Sequence, residues 1–547
     1  MDIDPILSEE RIEAMTGAGF WGERTIIDYL DQAAGDAPDR VAIIGANSMT
    51  GRSETVSYRQ LQRVTRRMAL GLAALGVSKG DVVSFQLPNW WQFSAIYLAC
   101  AHIGAIANPL MPIFRHREVS FMLGFAESKV VVVPRVFRGF DYPRMMAEVR
   151  AELPALEHVL VVEGGPEGSF EQALLETRHE DAPQAAGRLA RDRPGANDIS
   201  ELIYTSGTTG QPKGVMHTAN TLLGNIHQYV ATLGLTGDDI ILMASPLAHQ
   251  TGFLYGLMMP VVLKTKVVLQ DSWDPAVAAR LIQDEGVTFT MASTPFVADL
   301  ADTPAIGQYD TGTLRMFLTA GAPIPRVLVR RAEERLRIRV ISAWGMTENG
   351  AATMTRPDDP PEKVIETDGR AIAGMEVRVV NASGEPAATG SEGRLQARGM
   401  GNFVGYLKKP ELFDTDGDGW FETGDLARMD AEGYIRISGR SKDILIRGGE
   451  NVPVAEVEGV LYGHPAIADV AIVGMPDPRL GERGCAFATL RPGCELSMEE
   501  MCVFLAEQKM AKQYFPERLE IVSEMPRTPS GKIQKFKLRE IAKAFSV

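Results

Sequence analysis

At 547 residues the chain exceeds what one hydrophobic core usually serves, so a large body with at least one further domain is expected. Its composition, 45% hydrophobic and 23% charged, is that of an ordinary globular protein. A net charge of −14 without a long basic run excludes a nucleic-acid binder, while leaving room for a locally positive pocket that takes an anionic small molecule.

The opening residues, MDIDPILSEE, are acidic and lack the basic start and apolar run of a signal peptide. From about Val82 to Ile341 a pattern repeats: a short β-branched run, a Gly/Pro turn, then a longer amphipathic stretch. The runs include "VVSFQLPN", "KVVVVP", "ELIYTS", "IILMASPL", "TKVVLQ", "VTFTMAS", "LRMFLTAG" and "IRVISAWG". Apolar runs without alternation read as strands covered on both faces, so an α/β body with largely parallel sheets is expected. Ligands in such sheets bind beyond the carboxyl ends of strands, where the loops at 205–210, 246–252, 320–325 and 345–348 fall.

Residues 153–198, rich in Glu, Ala, Gly and Pro, read as a surface connection. Residues 240–263 hold no Asp, Glu, Lys or Arg and are long enough to span a bilayer. Pro246, His249, Gln250, Thr251 and Pro260 interrupt them, so a buried strand, loop and helix is the reading. After about Gly369 the texture becomes a small antiparallel β region, and the last hundred residues read as a compact α+β domain. The expected division is a large domain over 1–440 and a small one over 441–547. The four cysteines are too few for a disulfide framework, and Cys485, Cys494 and Cys502 lack zinc-site spacing, so reduced thiols in a cytoplasmic protein are expected.

The stretch "YTSGTTGQPKGV" carries the first chemical signal. A buried strand runs into Thr205, Ser206, Gly207, Thr208, Thr209 and Gly210. Glycines let backbone N–H groups approach an anion, and hydroxyls add donors. Lys213 supplies charge, but Pro212 precedes it, so this is not the G-x-x-x-x-G-K-[ST] loop. A surface turn is the plain alternative. The buried strand before it and the Pro-Lys-Gly close favour a polyphosphate cradle. A second signal, "DTDGDGWFETGD" from Asp414, approaches a calcium loop but ends on Asp425 where Glu is needed, and it reads as a polar turn between strands.

The same stretch resembles the signature loop of the adenylate-forming superfamily: acyl-CoA synthetases, peptide-synthetase adenylation domains and beetle luciferases. Six further matches follow in family order: "PLAHQTGF", "TAGAPI", "AWGMTENG", "FETGDLA", "GRSKDILIRGGENV" and "PRTPSGKIQK". The resemblance implies the family's two-domain fold and its two half-reactions, acyl-adenylate formation from ATP and transfer to a thiol. In the first, a carboxylate meets the α-phosphate, and the repulsion must be offset by Mg²⁺ and cationic side chains.

By that resemblance the loop from Thr205 to Gly210, with Lys213, holds the β- and γ-phosphates. Glu348 ligates Mg²⁺, and Thr347 bonds the α-phosphate. Asp425 takes the ribose hydroxyls, Arg440 contacts the nucleotide, and Trp344 stacks on adenine where the family more often has Tyr. Gly321 and Ala322 line the boundary between adenine and acyl group. Lys532 bridges α-phosphate and carboxylate in the adenylation step, a contribution of about 2.7–4 kcal/mol. The small domain then rotates about Lys442, and Arg447, Gly448, Gly449 and Glu450 face the adenylate along the coenzyme A path.

His249, Phe253, Pro295, Ala320 and Met346 are the candidate acyl-pocket lining and imply an apolar acid of modest size. The tract "FWGERTIIDYLDQAAGDAPDRVAII" resembles bacterial cyclohexanecarboxylate and medium-chain-acid CoA ligases. The implied partners are a carboxylic acid, ATP and CoA, with a homodimer and a lysine acyltransferase or deacylase acting on Lys532 as open options. Two alternatives stay open: transfer to a carrier protein instead of CoA, and a degenerate nucleotide-binding protein.

Overall fold

The computed structural model describes residues 5–164, 168–205, 212–321, 324–440, 445–447, 450–528 and 531–545. The apolar runs form strands buried on both faces, as in Val82–Phe85, Val130–Pro134 and Phe289–Ala292. Among the described residues they build two sheets. One has nine strands, in the order 370–371, 350–354, 339–346, 316–319, 289–292, 241–243, 267–270, 41–47 and 52–57. The other has six, in the order 213–218, 199–205, 106–109, 82–85, 130–134 and 158–162. The interior pairings of both are parallel; antiparallel pairs close both ends of the nine-stranded sheet and the 213–218 end of the six-stranded one.

Helix Trp91–Ile103 touches strands of both sheets, and every residue from Phe93 to Ile103 is buried. An all-round apolar helix is stable only in such a sandwich. It stops at Gly104, whose φ of 68° is the left-handed conformation that glycine adopts without strain.

Residues 240–263 form strand Ile241–Met243 and then a buried helical run that includes a π-helical segment, Phe253–Met258. Among the described residues no helix is long and apolar enough to cross a membrane. The stretch 153–198 is more than the expected surface connection. Within it, His158–Val162 adds a parallel edge strand beside Val130–Pro134, and Phe170 and Leu174 are fully buried.

The antiparallel region is a four-stranded sheet of Met375–Val380, Glu392–Gly399, Phe421–Met429 and Ile435–Arg440. The acidic stretch before Phe421 is a polar turn. The Asp416 carboxylate accepts from the backbone N–H groups of Asp418 and Trp420 and pairs with Arg378 at 2.7 Å. Beyond residue 445 a separate sheet with three helices, Val454–Leu461, Met498–Glu507 and Lys535–Lys543, encloses two apolar clusters of its own.

Candidate active site

Strands Ile241–Met243, Phe289–Ala292, Met316–Thr319 and Arg339–Met346 run parallel, so the chain leaves them all at one edge. That edge gathers His249, Ser293, Ala320, Gly321, Thr347 and Glu348, as expected of loops at the carboxyl ends of an α/β sheet.

Buried polar contacts pin the Thr347–Glu348 segment. Asn225 Nδ2 donates to the carbonyls of Asn349 (3.1 Å) and Ala351 (2.9 Å), and its Oδ1 accepts from Tyr255 Oη at 2.6 Å. The same phenol oxygen accepts from Ala351 N–H. His217 Nε2 donates to the Thr347 carbonyl at 2.8 Å, and burial lowers its pKa to about 4, so the ring is neutral. Gly345 admits no side chain, because a Cβ would lie 2.0 Å from the Gly350 carbonyl oxygen.

Glu348 is buried, and its Oε1 accepts from Tyr406 Oη at 2.7 Å. Burial and that carboxylate push the Tyr406 phenol well above its usual range, so it stays a donor. Lys213 opens strand Lys213–Thr218 opposite Thr205, with Nζ 4.6 Å from the centre of the Tyr406 ring. Phosphate-loop lysine and loop acid therefore meet on one tyrosine. The Tyr406 bond engages one Glu348 oxygen, so the other is the atom that would serve a hard cation.

Register places Asp425 opposite Arg440. Asp425 Oδ1 accepts from Arg440 Nε at 2.8 Å and Oδ2 from Trp344 Nε1 at 2.9 Å. Sequence distance of 81 residues thus closes into one buried contact between the nine-stranded and four-stranded sheets.

Lys532 comes from the C-terminal part. Its turn is held by Thr528 N–H to the Lys532 carbonyl (2.7 Å) and Lys532 N–H to Thr528 Oγ1 (3.0 Å). Lys532 Cε packs against Gly321, where a Cβ would stand in ordinary contact at 3.5 Å, so it is the φ of +83° that calls for glycine there. Burial, then Arg440, lower the lysine's pKa to about 8, against the pull of Asp425 and Glu348. Arg440, Asp425 and Glu348 of the body thus all act on a lysine from the C-terminal part. His249 is neutral, lowered to about 3 by burial and then by Lys532.

Of the other expected residues, Thr205 ends its strand in the six-stranded sheet opposite Lys213, Ala320 and Met346 are half-buried at the carboxyl edge of the nine-stranded one, and Phe253 is wholly buried edge-on against Tyr97, 4.6 Å between ring centres. Arg447 pairs with Glu517 at 2.5 Å. Ser206, Gly207, Thr208, Thr209, Gly210, Ala322, Lys442, Gly448 and Gly449, and the side chain of Glu450, lie outside the described residues. Tyr406, Asn225, Tyr255 and His217 stood out in no motif. Each acts through a contact more than 25 residues away, which leaves no local pattern to read.

Comparison with known proteins agrees with this geometry. The "AMP-binding enzyme" family profile matches residues 30–407, and "AMP-binding enzyme C-terminal domain" matches residues 456–532. The chain is 36% identical over 543 residues to a medium-chain fatty-acid–CoA ligase of Escherichia coli (strain K12), covering 99% of this chain and 94% of that one. It is 34% identical to a salicylyl-CoA synthase / salicylate adenylyltransferase of Streptomyces sp, over 98% of this chain and 97% of that one. ATP-bound MatB from Rhodopseudomonas palustris superposes with a TM-score of 0.84 at 27% identity, covering 95% of this chain and all of that chain (100%).

Proposed function

The chain belongs to the AMP-binding enzymes, the adenylate-forming superfamily, in its acyl-CoA synthetase branch, and on that premise we propose how its site works and on which acid. The enzyme joins a carboxylic acid to CoA in two steps: carboxylate and ATP give acyl-AMP and pyrophosphate, then the thiol displaces AMP. The acid proposed is apolar and of medium size, fatty, alicyclic or aromatic. The observation that carries the reading is the meeting of Lys532, from the C-terminal part, with Arg440, Asp425 and Glu348 of the body.

There Asp425 holds the ribose by its two oxygens and Trp344 borders the adenine. Lys213 and the loop from Thr205 to Gly210 take the β- and γ-phosphates. Thr347 and Lys532 face the α-phosphate. Glu348 would hold Mg²⁺, whose bound charge offsets the phosphates. Its second oxygen beside a Tyr406-anchored one fits the few-carboxylate coordination that Mg²⁺ takes alongside substrate phosphates. Lys532 donates charge to the α-phosphate and the attacking carboxylate together, where an aqueous site would leave them repelling. Neutral His249 beside it adds no charge at the acyl mouth, and half-buried Ala320 and Met346 offer only apolar surface, with Phe253 packed behind, which favours an acid with a single carboxylate.

The small domain, 441–547, is the unit that carries Lys532 in and out, with Lys442 as hinge and the segment from Arg447 to Glu450 as the thiol path. Acylation of Lys532 would remove its charge and stop adenylation. A cytoplasmic setting goes with this reading, since the described cysteines are free thiols and Cys494 is exposed.

The test is AMP release from MgATP with acetate, octanoate, benzoate and cyclohexanecarboxylate, with and without CoA, the thioester being identified by mass. CoA-dependent turnover with octanoate, benzoate or cyclohexanecarboxylate above acetate is expected. Pyrophosphate exchange without any CoA thioester would transfer the assignment to a carrier-protein acceptor. No exchange with any acid would refute the reading.

A further inference from the structure

Lys532 works only when the C-terminal part is seated on the body, and one helix of the body forms a charged part of the seat. Helix Thr294–Asp302 follows strand Phe289–Ala292. Pro295, Asp299 and Asp302 stand four and three residues apart, so they share one face. At its start a Cβ on Gly531, the residue before Lys532, would come within 2.5 Å of Ser293 Oγ and 3.3 Å of Pro295 Cγ. One turn on, the Asp299 carboxylate accepts from Trp273 Nε1 at 2.9 Å; burial raises its pKa, against that hydrogen bond and then the field of Arg527. That guanidinium also donates to the Gly531 carbonyl and to Asp469, tying the lysine turn to strand Ile467–Asp477. At the end Asp302, already paired with Arg331 (3.2 Å) and Arg335 (3.1 Å) of the body, reaches Arg491 of the C-terminal part at 3.7 Å.

We propose that this helix face is the docking rail that seats the small domain for adenylation, with Asp299 and Asp302 acting as positioning residues through Arg527 and Arg491. The inference rests on the adenylation reading above. A half-exposed ion pair suits the task, because it is weak and screened by salt, so the seat holds for one half-reaction and releases for the next. A fully apolar seat would hold in both.

The test uses Asp299→Asn, which keeps the Trp273 hydrogen bond and removes the charge, and Arg491→Ala, which removes the cation and leaves Asp302 paired within the body. Docking is read without any substrate by disulfide trapping in a Cys494→Ser background carrying Val327→Cys and Gly463→Cys, positions whose added Cβ and Cγ1 lie 3.7 Å apart across the seat. Trapping is expected to slow about threefold in each variant and about tenfold in the double variant. Pyrophosphate exchange, with the panel acid that the wild-type protein turns over fastest, should fall in parallel. Thioester formation from that acid's synthetic adenylate and CoA should be unchanged or faster. Unchanged trapping, normal exchange despite slower trapping, or equal slowing of both half-reactions would each overturn the proposal. Failure of the wild-type protein to exchange with any acid would instead strike the adenylation reading, and trapping would still report on the rail.

Discussion

The body's half of the site and the lysine's half are held by different physics. Thr347 and Glu348 sit in the turn between strands Arg339–Met346 and Gly350–Met354, Asp425 sits on strand Phe421–Met429, and buried hydrogen bonds from Asn225, Tyr255, His217, Tyr406 and Trp344 lock them. Lys532 sits on a turn fixed within its own domain but seated on the body by a glycine contact and an ion pair in a partly exposed position. The first arrangement is preorganised, so it can bind nucleotide without rearranging. The second is reversible, which an enzyme with one site and two successive reactions needs. The difference teaches that rigidity and mobility here are assigned by burial, residue by residue.

Lys532→Ala should break the comparison most severely. Acyl-adenylate formation should fall about 100- to 1,000-fold in exchange assays, while thioester formation from a supplied adenylate survives. Equal loss of both would mean the lysine half is not separable. The same residue sets a pH limit. It works charged, and its pKa in the free enzyme is lowered to about 8, so kcat/KM for adenylation should decline as pH rises through about 8. Bound phosphates restore the proton, and the corresponding limb of kcat should lie at higher pH.

Asn225→Ala tests the rigid half. It strands the carbonyls of Asn349 and Ala351 and the Tyr255 hydroxyl, and should cost about 3 kcal/mol in urea unfolding with both half-reactions weakened. A milder probe is Tyr406→Phe, which removes one donor from Glu348 and should lower adenylation about tenfold while raising the Mg²⁺ concentration for half-maximal rate. Mn²⁺ binding followed by electron paramagnetic resonance would check the second effect apart from turnover.

Smallest in activity is Glu201→Gln. Glu201 is fully buried, bonded to Gln250 at 3.2 Å, and raised by burial to about 8. The fold therefore holds its proton more tightly than the unfolded chain. That contribution is complete below the ordinary carboxylate range and is lost as pH rises towards 8. The variant should turn over within about twofold of wild type, and its Tm advantage should widen from pH 5 to pH 8.

The strands were legible because "VVVVP", "FTMA" and "MFLT" lack alternation, and a run buried on both faces has few other homes. The site was legible where chemistry is written in adjacent residues, as with Thr347 and Glu348 or the turn before Lys532. The edge strand His158–Val162 was not, because five residues between polar stretches carry too little pattern. Nor were Asn225, Tyr255 and Tyr406. Their partners are brought to them by packing between sheets, and one buried Asn or Tyr reads in sequence like any other core polar residue.

The bond between Trp344 and Asp425 has one more consequence. Each carboxylate oxygen has accepted one hydrogen bond, from Arg440 or from the indole, and each keeps a second lone pair. A ribose can therefore be taken up without dismantling this brace, so the carboxylate's direction is set before any nucleotide arrives.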